Sequence, residues 1–361
     1  MHNLHEITIL VCLDVAMRIA QIAPLVERVP PKKYGGTERV VHALTEELVA
    51  RGHDVTLFAS GDSETSAKLE SVYPRAIRES KVKDLYGTNN WTMLNIGLAY
   101  ELQDEFDIIH DHLAPLSLPT ANIASTPTIM TMHGAFSRET RRLFQTLRNP
   151  SVVTISESQI YGAPNIHHVG TVYNGLPMEH YPFEDISDDY LLFVGRISME
   201  KGTHFAVEVA QQLDMPLIIA AKLEPVDESY YREYVKPHLT DRIQWIGEVE
   251  EEDRNKLMSK AKCYLHPVTW REPFGLVMIE AMACGAPVVG FDRGSVREVV
   301  ETGVSGHVVQ DLEGMIEAVE SIESIKREEC RRHALENFSA KRMADGYEGV
   351  YRAIVGDVQS S

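Results

Sequence analysis

The sequence predicts an α/β protein of two doubly wound, Rossmann-like domains facing each other across a cleft, and three observations carry that prediction. The chain has 361 residues, more than one domain normally holds, so two domains of about 150 to 200 residues are expected. Short apolar runs bounded by Gly, Pro or Asp alternate with amphipathic segments, the pattern of parallel strands joined by helices. The alternation runs through two cycles, separated by a stretch with prolines, five acidic residues and no periodicity.

The first strand pattern, "MRIAQIAPL", begins at Met17, and residues 1–16 read as an appended extension interrupted by Glu6 and Asp14. A glycine turn leads into "TERVVHALTEELVARG", where Val40, Val41, Leu44 and Leu48 recur at helical spacing and Gly52 supplies the stop. "DVTLFAS", "FDIIHDH", "PTIMTMHG", "SVVTISE" and "VGTVYNG" follow as buried-strand candidates. These place a first domain over 17–176 and a linker over 177–189. The second cycle, 190–338, runs through "DDYLLFVGRIS", the helix "THFAVEVAQQLD", "PLIIAA", "IQWIGEV", "KCYLHPV", the helix "PFGLVMIEAMACG", "PVVGF" and "GHVV". Residues 339–361 end the chain in a segment with helical character.

Composition narrows the function classes. Hydrophobic residues make up 44% and charged residues 24%, ordinary globular usage. With 53 acidic against 35 basic residues the formal charge is -18, which repels polyanions and argues against nucleic-acid binding. Cys12, Cys263, Cys284 and Cys330 form no C-x-x-C pair, so neither a zinc ribbon nor a disulfide framework is suggested. No apolar run is long enough for a membrane span, and no basic segment with a long apolar core opens the chain, so a cytoplasmic location is expected.

In such sheets ligands gather beyond the carboxyl ends of strands, where loops enter helix N-termini. Gly35 and Gly36 in "KKYGGTE" hold that position before the first helix; paired glycines let a backbone approach an anion, and a plain glycine turn capped by Thr37 is the alternative. In "FVGRISMEKGTHF", Arg196 and Lys201 stand in the loop before a helix and suit a diphosphate. Neither G-x-x-x-x-G-K-[ST] nor G-x-G-x-x-G occurs, which argues against nucleotide hydrolysis and dinucleotide redox chemistry. His110, His112 and His133 are expected at strand ends facing the cleft; no cysteine or carboxylate cluster completes a metal site around them, and His133 suits a ligand hydroxyl. Arg138, Arg141, Arg142 and Arg148 form a basic segment that is either a solvated helix face or a contact for an anionic acceptor or membrane surface.

"WREPFGLVMIEAMACGAPVVG" carries Glu272 and Glu280. Pro273 disfavours helix at Glu272, so Glu272 is expected in the loop over the helix N-terminus, near the N–H groups of Phe274, Gly275 and Leu276. Glu280 falls within the helix among apolar residues and needs a partner, which a polyol ligand would supply. No converging acid/base pair is indicated.

Together, GG-T-E, the strand-end histidine, "VYNG", "FVGRISMEKG" and "EPFGLVMIEAMACGAPVV" resemble the retaining glycosyltransferases of family 4, which have the GT-B fold. The resemblance implies transfer of a hexosyl group from a UDP- or GDP-sugar to an acceptor hydroxyl, with the acceptor a sugar, small molecule or lipid-linked group. It implies that Arg196 and Lys201 hold the donor diphosphate, Glu272 binds sugar hydroxyls, and N–H groups from Phe274 to Leu276 support sugar and phosphate. Glu280 would then bind the nucleotide ribose, Gly35 and Gly36 would face phosphates or acceptor, and His133 would touch the transferred sugar. No metal and no other cofactor is expected, and the final helix is expected to cross back to the first domain. A nucleotide-sugar epimerase or sugar phosphorylase on the same architecture, or a two-lobed sugar-binding protein, is the rival reading.

Overall fold

The computed structural model describes residues 16–33, 35–82 and 84–359; the N-terminal extension, apart from Ala16, lies outside them. Thirteen strands form two parallel sheets. The first contains β1 (Arg18–Ile22), β2 (Asp54–Phe58), β3 (Lys68–Glu70), β4 (Ile108–Asp111), β5 (Thr128–Met132), β6 (Ser151–Thr154) and β7 (His168–Thr171), in the order β3-β2-β1-β4-β5-β6-β7. The second contains β8 (Leu191–Arg196), β9 (Leu217–Lys222), β10 (Ile243–Gly247), β11 (Cys263–His266), β12 (Val288–Phe291) and β13 (Gly306–Val309), in the order β10-β9-β8-β11-β12-β13. Each order reverses once, between β1 and β4 and between β8 and β11. At those switch points neighbouring loops diverge and leave a crevice.

The helices of eight or more residues are α1 (Gly36–Ala50), α2 (Leu85–Glu101), α3 (Arg138–Thr146), α4 (Thr203–Gln212), α5 (Glu251–Lys260), α6 (Leu276–Ala283), α7 (Leu312–Glu320), α8 (Arg327–Phe338) and α9 (Ala340–Gln359). β4, β5 and β6 are buried along their whole length, as strands covered on both faces require. β3 and α2 are not marked by the sequence pattern. In α2 the buried positions are Thr92, Asn95, Ile96, Ala99 and Tyr100, while Leu85, Tyr86, Met93 and Leu94 are exposed. Polarity therefore does not report burial along that helix.

One apolar cluster runs from the first sheet (Ile19, Val55, Val153) through α6 (Met278, Ile279) to α9 (Met343, Tyr347, Tyr351). Helix α9 follows α8 directly, yet it lies against the first lobe. Arg51 bonds Asp345 at 2.7 Å, His53 meets Glu348 at 2.9 Å, and the Tyr347 hydroxyl meets Thr131 at 2.9 Å. The chain thus closes over its first lobe after completing its second. None of the helices among the described residues is long and apolar enough to cross a membrane.

Candidate active site

A cavity of about 460 Å³ opens between the lobes, and the ten residues to which the resemblance gave a donor-site or catalytic role all line it: Gly35, Gly36, His133, Arg196, Lys201, Glu272, Phe274, Gly275, Leu276 and Glu280. Local structure explains the convergence. Arg196 ends β8, His133 follows β5, and Gly36 opens α1. A Cβ on Gly36 would stand 3.4 Å from Leu276 of the opposite lobe, so the two helix N-termini meet across the cleft. Phe274 is an exception in kind: its ring is buried near Tyr173 and Phe338, so only its backbone can serve a ligand.

Glycine is required at two turns. Gly202 has φ +71°, and a Cβ there would lie 2.0 Å from the Pro267 carbonyl oxygen, which sets the Lys201 loop directly on the end of β11. Gly275 has φ +82° and caps α6; its left-handed backbone turns the chain so that Glu272 lies over the helix entrance.

Glu272 is 5% exposed and does not stand alone at the helix entrance. Lys201 Nζ donates to it at 2.6 Å and Trp270 Nε1 at 3.0 Å, with the Lys201 ammonium 5.0 Å from the Trp270 ring centre. Burial pushes the carboxyl up, but Lys201, His266 and the indole N–H outweigh it and hold it below its ordinary value. The two cations expected to meet a diphosphate are both paired within the protein. Lys201 is engaged by Glu272, and Arg196 is paired with Glu200 and with Asp227 at 3.2 Å. Both cations line the cavity, but an incoming anion must compete with carboxylates already in place.

The expectation for Glu280 is corrected in the same sense. It is 1% exposed, and protein cations supply the partners that a ligand was expected to provide: Arg39 of α1 at 2.7 Å and Arg254 of α5 at 2.6 Å. Burial pushes this carboxyl up, and Arg254 and Arg39 bring it below its ordinary value. Arg39 also bonds Tyr181 at 2.9 Å and Glu251 at 3.2 Å, so the pair ties the lobes together. Glu280 Oε2 is left buried without a hydrogen-bond partner.

His266 was not legible as a site residue. Tyr264 donates its hydroxyl hydrogen to the Val194 carbonyl at 3.2 Å and stands 2.9 Å from His266 Nδ1. His266 Nε2 is buried without a hydrogen-bond partner, 3.9 Å from Glu272 Oε2. Burial lowers this imidazole to about 4 despite Glu272, so it is neutral at ordinary pH. Asn174 of "VYNG" also lines the cavity with its Oδ1 unpartnered. Sequence reasoning also missed Arg39 and Arg254, because their partner Glu280 is remote in the chain, and Trp270, although its partner Glu272 is two residues away; the one available signal for the arginines was Arg39, one residue past GG-T-E.

Of the three histidines, only His133 lines the cavity. His110 lies within β4, fully buried, and meets Tyr351 of α9 rather than the cleft. No group of three His, Cys, Asp or Glu side chains arranged to hold a metal occurs among the described residues. The arginine-rich segment forms α3 on the surface, with Phe144 as its buried anchor.

Both lobes match known family models. Residues 34–172 match "Glycosyltransferase Family 4" and residues 183–342 match "Glycosyl transferases group 1". A glycogen synthase of Mycobacterium tuberculosis is 27% identical over 350 residues, covering 81% of this chain and 83% of that protein. A phosphatidyl-myo-inositol mannosyltransferase of Propionibacterium freudenreichii is 26% identical over 321 residues, with 81% and 82% covered. Among solved structures, Anabaena HepE in complex with UDP-glucose superimposes with a TM-score of 0.71 at 19% identity, covering 93% of this chain and 100% of that one. The fold is that of the GT-B transferases, two Rossmann-like lobes with a site between them. The chain belongs to the family-4 type of glycosyltransferases and is a transferase enzyme.

Proposed function

We propose that the protein transfers a hexosyl group from a UDP- or GDP-sugar to an acceptor hydroxyl with retention at the anomeric carbon. The observation that carries this reading is the cluster at the open ends of β8 and β11: the Lys201–Glu272 pair, Arg196 beside it, and the buried, unpartnered Glu280 Oε2 and His266 Nε2 around the start of α6. A sugar diphosphate needs positive charge and N–H donors at one end and hydroxyl acceptors at the other. In the proposed assignment the second lobe, 190–338, takes the donor, and the first lobe, 17–176, takes the acceptor across the linker 177–189. UDP-glucose bound to HepE, and a mannosyltransferase and a glycogen synthase among the relatives, agree with it.

In this mechanism Arg196 and Lys201 draw the diphosphate between them, and the N–H groups of Gly275 and Leu276 at the start of α6 join them. Glu272 keeps one edge for sugar hydroxyls, Glu280 Oε2 takes a ribose hydroxyl, and His133 touches the sugar. The bond from the anomeric carbon to the diphosphate oxygen breaks, and negative charge collects on that oxygen, where the cations stabilise it. The departing oxygen accepts the proton of the acceptor hydroxyl, whose oxygen bonds to the same face of the sugar. Neither a protein nucleophile nor a metal is required, because the two cations carry the charge compensation. Closure of the lobes excludes water and limits donor hydrolysis.

Thermal denaturation across nucleoside diphosphates and their sugars tests donor binding, because a ligand that binds only the folded state raises its apparent stability. One nucleoside series should stand out. Product formed in the first turnovers should keep the donor's anomeric configuration by proton NMR; the opposite anomer overturns the same-face mechanism.

A further inference from the structure

A continuous line of hydrogen bonds leads from the cleft through the first sheet to α9. His133 Nε2 meets His112 Nδ1 at 2.9 Å, and His112 Nε2 meets Gln21 Oε1 at 2.7 Å. Gln21 Nε2 reaches the Tyr351 hydroxyl at 3.3 Å, and that hydroxyl meets His110 Nδ1 at 2.7 Å. Gln21, His110, His112 and Tyr351 are all at least nine-tenths buried, so no solvent exchanges with these bonds.

Such a chain has one polarity or its reverse. Placed with its oxygen on His112, the Gln21 amide requires Nε2–H on His112; His112 Nδ1 then accepts, so His133 must carry Nε2–H. The reverse would turn the amide oxygen toward the Tyr351 hydroxyl at 3.3 Å and His110 Nδ1 at 3.4 Å. The 3.3 Å contact overshoots the span of about 2.5 to 3.0 Å for O–H···O by more than it overshoots the limit of about 3.2 Å for N–H···O, and His110 at 3.4 Å is farther still, so the forward polarity fits better. In the forward polarity Tyr351 donates instead to His110 over its short 2.7 Å contact. No described residue hydrogen-bonds His133 Nδ1.

We propose that Gln21 and His112, anchored by Tyr351, are positioning residues that fix His133 as its Nε2–H tautomer, so that Nδ1 accepts a hydroxyl hydrogen of the transferred sugar. The inference rests on the reading that His133 contacts that sugar. It links α9 to the cleft through hydrogen bonds alone, and it makes His133 selective for a hydroxyl over an ether or carbonyl at the position it touches. Burial keeps His133 neutral, lowering it to about 4, so the tautomer and not the charge decides what it offers.

The test uses the full chain labelled with ¹⁵N-histidine and two-bond proton–nitrogen NMR, which distinguishes protonated from bare ring nitrogens. His133 and His112 should both show Nε2–H. A protonated Nδ1 on His133, or a mixture, overturns the relay. Gln21→Met, which cannot accept from His112, should give His133 a mixed tautomer. It should also slow transfer from the better of UDP-glucose and GDP-mannose about tenfold, the value of roughly one hydrogen bond, while UDP and GDP affinities stay unchanged. The wild-type spectrum decides the matter if the Met variant does not fold. An unchanged tautomer and turnover in Gln21→Met overturn the proposal. The expected tautomer with an Nδ1 signal unmoved by either nucleotide sugar overturns the sugar contact beneath it, and the two failures are thereby told apart.

Discussion

Lys201 does two things at once: it neutralises the buried Glu272, and it places positive charge in the cleft. Removing it therefore confounds stability with chemistry, because a buried carboxylate deprived of its partner is costly. A double substitution separates them. Lys201→Ala should lower both stability and kcat, the latter on the order of 100- to 1,000-fold if its target gains charge in the transition state. Lys201→Ala with Glu272→Gln should recover stability in denaturant titrations and leave kcat low; recovery of kcat with stability would make Lys201 a structural counter-ion only. At this scale the sequence was partly legible. Pro273 separated Glu272 from the helix that carries Glu280, and the two carboxylates do occupy different local structures. What could not be read was who neutralises them. Arg39 and Arg254 reach Glu280 from helices 241 and 26 residues away along the chain, separations that no local pattern reports.

The loops that enter α4 and α6 hold the site in register, and each depends on one glycine. An L side chain in the left-handed region costs about 1 to 3 kcal/mol when the surroundings enforce that conformation. The two positions differ in what a new Cβ would strike. At Gly202 it would lie 2.0 Å from the Pro267 backbone oxygen, whereas at Gly275 it would lie 2.6 Å from the flexible tip of Met278. Gly202→Ala should therefore destabilise more than Gly275→Ala in chemical denaturation, since a methionine terminus can move and a strand-end carbonyl cannot. Gly275→Ala should act more on donor KM, because Glu272 and His266 lie 3.4 and 3.5 Å from the added carbon. Elements were legible where burial and polarity agree, as in β12, whose Val288 to Phe291 are apolar and buried throughout. They were not legible in α2, where a buried Asn95 and an exposed Tyr86 reverse that agreement, nor in β3, whose three residues are too few to show a period.

Across the whole molecule, the lobes are joined by Arg39–Glu280 and by Glu298, which accepts from the N–H groups of Glu157 and Ser158 at 2.6 and 2.7 Å. Helix α9 fastens the second lobe's exit to the first lobe's sheet. The buried network under α9 has a further consequence for acid stability. Burial holds His110 and His112 well below the ordinary imidazole value of 6.5, and lowers His133 and His266 to about 4. Unfolding restores the ordinary value, so between pH 6.5 and about 4 the unfolded chain binds more protons at these sites than the folded one. Stability is then complete above pH 6.5 and falls as pH drops through that window, by up to about 1.4 kcal/mol per pH unit for each histidine. Burial acts oppositely at Glu38, raised to about 7, and at Asp111, raised to about 6, because those carboxyls hold protons when folded; Glu27 is raised as well. The four histidines outnumber these three carboxyls. Glu272 and Glu280, both held below their ordinary value, add losses of the same sign at still lower pH. The midpoint of urea unfolding should therefore begin to decline near pH 6.5, well before the carboxylate range. Replacing His112 with Asn should flatten that decline, because one of the groups that must stay neutral to remain buried is gone. A midpoint flat from pH 7 to pH 5 in the wild type would show that the buried histidines take up protons without unfolding the sheet around them.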